Sequence, residues 1–127
     1  MRLLTYAVFS NFPGWIIFQI VGCRMPFELP IRVYYEDTDA GGVVYHSNYL
    51  KFFERARTEF LRSLGFEQDQ LLEADIVFVV KKMDIDFVKP AKFNDMLTVK
   101  TSVERLKRAS VNFQQQIFSD KGNLLCT

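Results

Sequence analysis

Apolar side chains recur at spacings of three and four through the middle of the chain, from Tyr49 to Leu64. This spacing puts them on one face of a helix of about four turns, and such a face must be covered by another element. Ser47 or Asn48 can cap the start of this helix, and Gly65 can end it. The side chains expected to face the core are Tyr49, Phe52, Phe53, Ala56, Phe60 and Leu64.

Extended segments lie on both sides of this helix. Residues 31–35 alternate and are rich in strand formers, and three longer stretches at 76–88, 96–106 and 109–119 follow, separated by turn residues. A short second helix or a turn is expected near 68–74. One strand, one long helix and several strands with short connections predict an α+β domain, in which an antiparallel sheet packs against the helix.

Composition narrows the class of protein. The chain has 127 residues, and 16 basic side chains nearly balance 15 acidic ones, so the net charge favours neither nucleic acid nor an anionic membrane as a partner. Cys23 and Cys126 lie near opposite ends, without the spacing of a zinc site. We expect no metal, no cofactor and no structural disulfide, which suits a reducing compartment such as the cytoplasm.

The first residues form a distinct segment, because the 21 positions from Leu3 to Cys23 carry no charge. That length can cross a bilayer as a helix, although Pro13 and Gly14 would interrupt it. The apolar run that ends in Cys23 also resembles a bacterial lipoprotein signal sequence. A third interpretation is that translation begins at Met25.

We favour the third interpretation, because every interpretable pattern lies beyond Met25. Residues 1–24 are then an apolar extension without a structural role, and the domain spans residues 25–127.

A loop with two aspartates and two glycines runs directly into the start of the helix. Gly41 and Gly42 allow a tight turn and a close approach of backbone to a ligand, while the free N–H groups of a helix start can stabilise an oxyanion. An aspartate is normally ionised at neutral pH and can act as nucleophile or general base in acyl transfer. Asp37 and Asp39 could equally be turn and capping residues.

The run YYEDTDAGGVVYH at 34–46, followed by NYLKFFERAR at 48–57, closely resembles the 4-hydroxybenzoyl-CoA thioesterase family. Within that family it is most similar to the acyl-CoA thioesterases associated with the Tol-Pal system. The resemblance implies a hot-dog fold, a long helix wrapped by an antiparallel sheet, and hydrolysis of an acyl-CoA to a carboxylic acid and CoA. The alternative is a non-catalytic module that binds acyl groups, acyl carrier protein or a cell-envelope partner.

The same resemblance implies the residues of the site. It makes Asp39 the catalytic carboxylate, as nucleophile or general base, and places the oxyanion site at the backbone N–H of His46. Alone, one histidine beside a helix start could be structural, and Asp37 is expected to fix the loop. The residues implied to bind substrate are Tyr35, Gly42, Val43 and Tyr45.

The resemblance also implies an assembly. Members of this family join their sheets in a homodimer or homotetramer, so that each active site lies at a subunit interface, and acyl carrier protein is a possible further partner. Relatives continue with a long strand after the turn at 120–123. We therefore expect the final strand to be missing here.

Overall fold

The structure, a computed structural model, describes residues 4–8, 26–66, 78–107 and 109–127. It contains one helix, one single 3₁₀ turn at Tyr35–Asp37 and six strands within these ranges. The helix and strands are β1 (Leu4–Val8), β2 (Phe27–Arg32), α1 (His46–Ser63), β3 (Phe78–Met83), β4 (Met96–Lys107), β5 (Ser110–Ser119) and β6 (Leu124–Cys126).

The helix predicted from the apolar spacing is confirmed as α1. Its predicted inward residues are buried, apart from the half-buried Leu64. Gly65 ends the helix with φ +92°, and the N–H of Phe66 donates to the carbonyl of Leu61. A residue with positive φ just beyond the last turn is the usual way to satisfy such carbonyls, so the sequence identified this end correctly.

The strands form one antiparallel sheet in the order β2-β4-β5-β1-β3, with β6 pairing with β5. Because α1 packs on one face of this sheet, the predicted α+β class is confirmed. Strand β2 begins earlier than predicted and includes Pro30, which pairs with Thr98. An edge strand tolerates proline, because one of its sides has no neighbour to bond.

Strand β1 comes from the apolar segment for which no structural role is expected. Leu4–Val8 lies between β5 and β3, and its backbone pairs with both of them. The physical reason is that β3 and β5 would each have an unpaired edge facing the gap between them. A strand that fills this gap pairs the backbone groups of both edges. The charge-free composition did not indicate a strand, because a strand paired on both sides needs no charged residue to protect an edge.

After the turn at 120–123, the chain forms only the three-residue strand β6, Leu124–Cys126. Cys126 pairs with Ile117 and Leu124 with Phe118. The element predicted near 68–74, like residues 9–24 of the apolar segment, lies outside the described residues. Among the described helices, none has the length and hydropathy needed to span a membrane.

The core divides into two clusters along the helix. The distal cluster lies around the end of α1 and consists of Phe60, Leu61, Phe66, Val111 and Phe113. The proximal cluster lies around its first half and consists of Ile31, Val33, Val44, Tyr49, Phe52, Phe53, Ala56, Ala91, Leu97, Val99, Ile117, Leu125 and Cys126.

Candidate active site

The two-aspartate loop folds back on itself as a short antiparallel ladder. The N–H of Asp39 donates to the carbonyl of Val43 (2.9 Å), and the N–H of Tyr45 donates to the carbonyl of Asp37 (2.9 Å). Thr38 and Val44 form the bridge between these two bonds. Paired segments lie about 5 Å apart, so this ladder holds the aspartates close to the residue that precedes α1.

Asp37 fixes this loop, as expected. Its side chain is buried and accepts the N–H of Tyr34 at 2.8 Å, while its carbonyl accepts the side-chain amide of Asn48 at 2.9 Å. The prediction that Asn48 caps the helix was wrong, because Asn48 lies inside α1. Its side-chain N–H donates to the loop, and its side-chain oxygen does not accept a helix N–H as a cap would. A buried carboxylate with a backbone partner is a structural group here.

Asp39, in contrast, is exposed and holds its carboxylate beside the glycine turn. Its Oδ1 accepts the N–H of Gly41 at 2.8 Å, and its carbonyl accepts the N–H of Gly42 at 3.0 Å. A Cβ on residue 41 would lie 3.2 Å from Oδ1, a tight contact, and Gly42 has φ +78°. Oδ2 has no hydrogen-bond partner within the described part of the chain, so it is available for chemistry.

The start of α1 carries no side-chain cap. Tyr45 is the N-cap residue and its side chain makes no capping bond. The first N–H groups of a helix have no partner inside the helix, and they carry its partial positive charge. The N–H of His46 therefore offers a donor to an anionic oxygen.

A cavity of about 540 Å³ lies beside this loop, and the structure places some of the expected site residues in it. It is lined by Tyr35, Thr38, Asp39, Ala40, Gly42 and Phe93. Val43, Tyr45 and His46 do not line it. The imidazole of His46 packs instead between the rings of Tyr45 (4.4 Å between centroids) and Phe87 (6.2 Å).

Phe93 was missed by the sequence analysis. It lies between Pro90 and Asn94 in a segment whose turn residues predict only a connection. No sequence signal places such a residue on the same cavity as Asp39, because chain folding across more than fifty positions brings the two to it.

Two titratable groups lie in the proximal cluster near the loop. Burial raises the pKa of the Tyr49 hydroxyl, and the negative charge of Asp39 acts in the same direction. Burial also raises the pKa of the Cys126 thiol to about 12. Both groups are therefore uncharged at neutral pH.

The sequence is similar to a family of known proteins and to several of its members. A profile of the thioesterase superfamily matches residues 41–126. The chain is 56% identical over 92 residues to the acyl-CoA thioesterase YbgC of Haemophilus influenzae, covering 72% of this chain and 68% of that protein. It is 48% identical over 99 residues to the acyl-CoA thioester hydrolase YbgC of Escherichia coli O157:H7, covering 78% and 74% of the two chains.

A solved structure agrees with these matches. The probable thioesterase from Bartonella henselae superposes with a TM-score of 0.71 at 42% identity, over 81% of this chain and 83% of that one.

Proposed function

Because this chain belongs to the thioesterase superfamily and is an acyl-CoA thioester hydrolase with the hot-dog fold, we propose that Asp39 is its catalytic carboxylate. The reaction converts an acyl-CoA and water into a carboxylic acid and CoA. One observation carries the assignment. The carboxylate of Asp39 lines a cavity and has a free oxygen, and the loop of Asp39 pairs with the residues that lead into the uncapped start of α1.

Asp39 has two possible roles from this position. Its Oδ2 either attacks the thioester carbon, giving an acyl-enzyme anhydride that water then cleaves, or takes a proton from the water that attacks. The bond from Oδ1 to Gly41 holds the carboxylate plane in both cases. In either route CoA leaves as the thiolate and then takes up a proton.

The start of α1 stabilises the charge that develops on the thioester oxygen. The donor is the N–H of His46, aided by the positive end of the helix dipole. A cap side chain at this helix start would compete with the substrate oxygen for that donor, so the lack of a side-chain capping bond at Tyr45 suits this role.

The expected substrate-binding residues contribute in different ways. Tyr35 and Gly42 line the cavity and contact the substrate. Val43 and Tyr45 act through their backbone, since their bonds to Asp39 and Asp37 hold the loop in place.

The test of the assignment is Asp39→Asn. Asparagine keeps an oxygen that can accept the N–H of Gly41 but can neither attack nor take a proton, so kcat/KM for an acyl-CoA should fall by about 10² to 10⁴. Release of free CoA is measured, with folding checked by circular dichroism. Asp120→Asn makes the same change on an exposed turn and should retain full activity. Unchanged turnover by a folded Asp39→Asn protein would reject the proposal.

The two roles of Asp39 are separated by acid quenching during turnover, followed by mass measurement of the protein. An acyl adduct on the peptide that contains Asp39 identifies a nucleophile. Release of CoA without an initial burst and without any adduct-bearing peptide indicates a general base.

The assembly is a homodimer or a homotetramer. Strand β3 is at the edge of the sheet, and its Val79 and Val80 are 41% and 47% exposed. Lys81 and Lys82 follow them in the same strand, so the apolar part of the β3 edge is confined to Val79 and Val80. Val80→Lys should shift the mass in light scattering toward the monomer; an unchanged mass would reject β3 as the interface.

Residues 25–127 form the catalytic domain, with β1 completing its sheet. A cytoplasmic location, an association with the Tol-Pal system and recognition of acyl carrier protein stay predictions from the sequence.

A further inference from the structure

The cavity beside Asp39 has an aromatic wall. The rings of Tyr35 and Phe93 lie 6.0 Å apart between centroids, with their planes at 80°. Tyr35 is 80% exposed and Phe93 is 55% exposed. Large aromatic side chains that meet on a surface, next to a concave site, are a usual sign of ligand binding.

The segment that carries Phe93 is held firmly against the loop of Asp39. The carbonyl of Ala91 accepts the N–H of Val44 at 2.8 Å, and the N–H of Ala91 donates to the hydroxyl of Tyr49 at 3.0 Å. Val43 and Lys92 form a further bridge. Ala91 is fully buried, so both of its bonds are shielded from water. The backbone next to Phe93 therefore has a defined position relative to the loop of Asp39.

The chemistry of the lining indicates which part of the substrate meets this wall. The only charged side chain among the lining residues is the carboxylate of Asp39, which repels the phosphates of CoA. Two donors of the lining are already used, since the hydroxyl of Thr38 donates to the carbonyl of Tyr35 and the N–H of Gly42 donates to the carbonyl of Asp39. The hydroxyl of the exposed Tyr35 is the side-chain donor that remains among the lining residues. A pantetheine arm needs partners for its amides and would find few here, whereas a hydrocarbon group needs none.

We propose that Phe93, together with Tyr35, packs against the acyl group of the substrate, and that Tyr49 is a positioning residue that holds Phe93 in place through Ala91. This inference rests on the proposed function, because it needs a thioester whose carbonyl is held at Asp39. It makes the acyl group of the substrate an uncharged hydrocarbon or aromatic group, and it places CoA outside the aromatic wall.

The experiment compares Phe93→Ala with the unaltered enzyme on acetyl-CoA, butyryl-CoA and benzoyl-CoA. Covering a half-exposed phenylalanine ring contributes roughly a factor of ten in binding. KM for butyryl-CoA and benzoyl-CoA should therefore rise about tenfold, with kcat nearly unchanged, while KM for acetyl-CoA should change little, because its methyl group is too short to cover the ring. Val88→Ala is the control, since Val88 is similarly exposed on the same segment but does not line the cavity.

Two results would overturn the role of Phe93. An unchanged KM for all three substrates would mean that the ring makes no contact, and an equal rise for all three would mean that it contacts CoA. Both differ from a failure of the proposed function, in which Asp39→Asn itself remains active. Because Phe93 is half-exposed, Phe93→Leu should also fold and should restore part of the affinity.

Tyr49→Phe tests the positioning residue separately. It keeps the buried ring and removes only the oxygen that accepts the N–H of Ala91. KM should rise for butyryl-CoA and benzoyl-CoA more than for acetyl-CoA, in the same pattern as for Phe93→Ala but by a smaller factor. If the Tyr49→Phe protein is less stable but its KM is unchanged for every substrate, Tyr49 contributes only to packing and does not position Phe93.

Discussion

The two halves of α1 are stabilised in different ways. Around its second half, the distal cluster consists only of hydrocarbon and aromatic side chains, and Phe60 contacts both Phe27 and Phe113 edge to face. Around its first half, the proximal cluster includes the hydroxyl of Tyr49 and the thiol of Cys126. Polar bonds from Tyr49 and Asn48 connect this half of the helix to the loops that form the cavity.

This difference separates folding from positioning. Apolar contacts are not directional, so the distal cluster can stabilise the helix without fixing any loop to a fraction of an ångström. Hydrogen bonds are directional, and buried ones are costly to lose, so Tyr49 fixes Ala91 and Asn48 fixes Asp37. Stability and catalysis should therefore respond to different residues along one helix.

The largest effect on stability is expected at Phe60. Its side chain is almost fully buried, and Phe60→Ala should lower the free energy of unfolding by about 3 to 5 kcal/mol, through lost burial and the cavity left behind. Chemical denaturation measures this loss. At temperatures where the variant is folded, its kcat/KM should equal that of the unaltered enzyme. A drop in activity beyond the unfolded fraction would show that the distal cluster also positions the site.

A smaller effect on stability is expected from a change of pH, and it involves a residue of the proximal cluster, Cys126. The pKa of Cys126 is about 12 in the folded protein and about 8.5 in an unfolded chain, so the folded state holds the proton more tightly. Below about pH 8.5 this thiol makes its full contribution to the free energy of unfolding. That contribution falls as the pH rises toward about 12, and at about pH 10 the free energy of unfolding is lower by about 2 kcal/mol.

The check is a series of denaturation curves between pH 7 and 10 for the unaltered protein and for Cys126→Ala. The variant should lose less stability over this range than the unaltered protein. Equal losses would mean that the thiol is not shielded from water.

The smallest effect on stability is expected from a matched pair of glycines. Gly42 (φ +78°) and Gly122 (φ +83°) both have open space for a Cβ, so alanine costs only the backbone strain, about 1 kcal/mol at each. Only Gly42→Ala should lower kcat/KM, by roughly tenfold, because it shifts the loop of Asp39. Thermal denaturation and CoA release measure the two quantities, and equal activities of the two variants would remove Gly42 from the site.

Prediction from the sequence succeeded where the structure is local. The three-and-four spacing from Tyr49 to Phe60 identified the helix, and Gly65 identified its end. Strands β4 and β5 were found within one residue of their limits, because each alternates between two faces. The expectation that Asp37 fixes the loop was also confirmed.

Prediction failed where an element depends on distant partners. The strand at Leu4–Val8 pairs with neighbours about 75 and about 105 positions away in the chain, and its own composition does not indicate which segments these are. The helix cap was misplaced because the helix begins at His46, before Ser47 and Asn48, and the side-chain N–H of Asn48 donates to the carbonyl of Asp37 in the loop.

The sequence by itself determined the helix, most of the sheet and the identity of the loop that carries Asp39, because periodicity and turn chemistry are properties of adjacent residues. Only the tertiary structure decided that β1 joins the sheet, that Phe93 stands beside Asp39 and that Tyr49 holds Ala91. Those contacts join residues far apart in the chain, and their free energy exists only once the backbone has closed the loops between them.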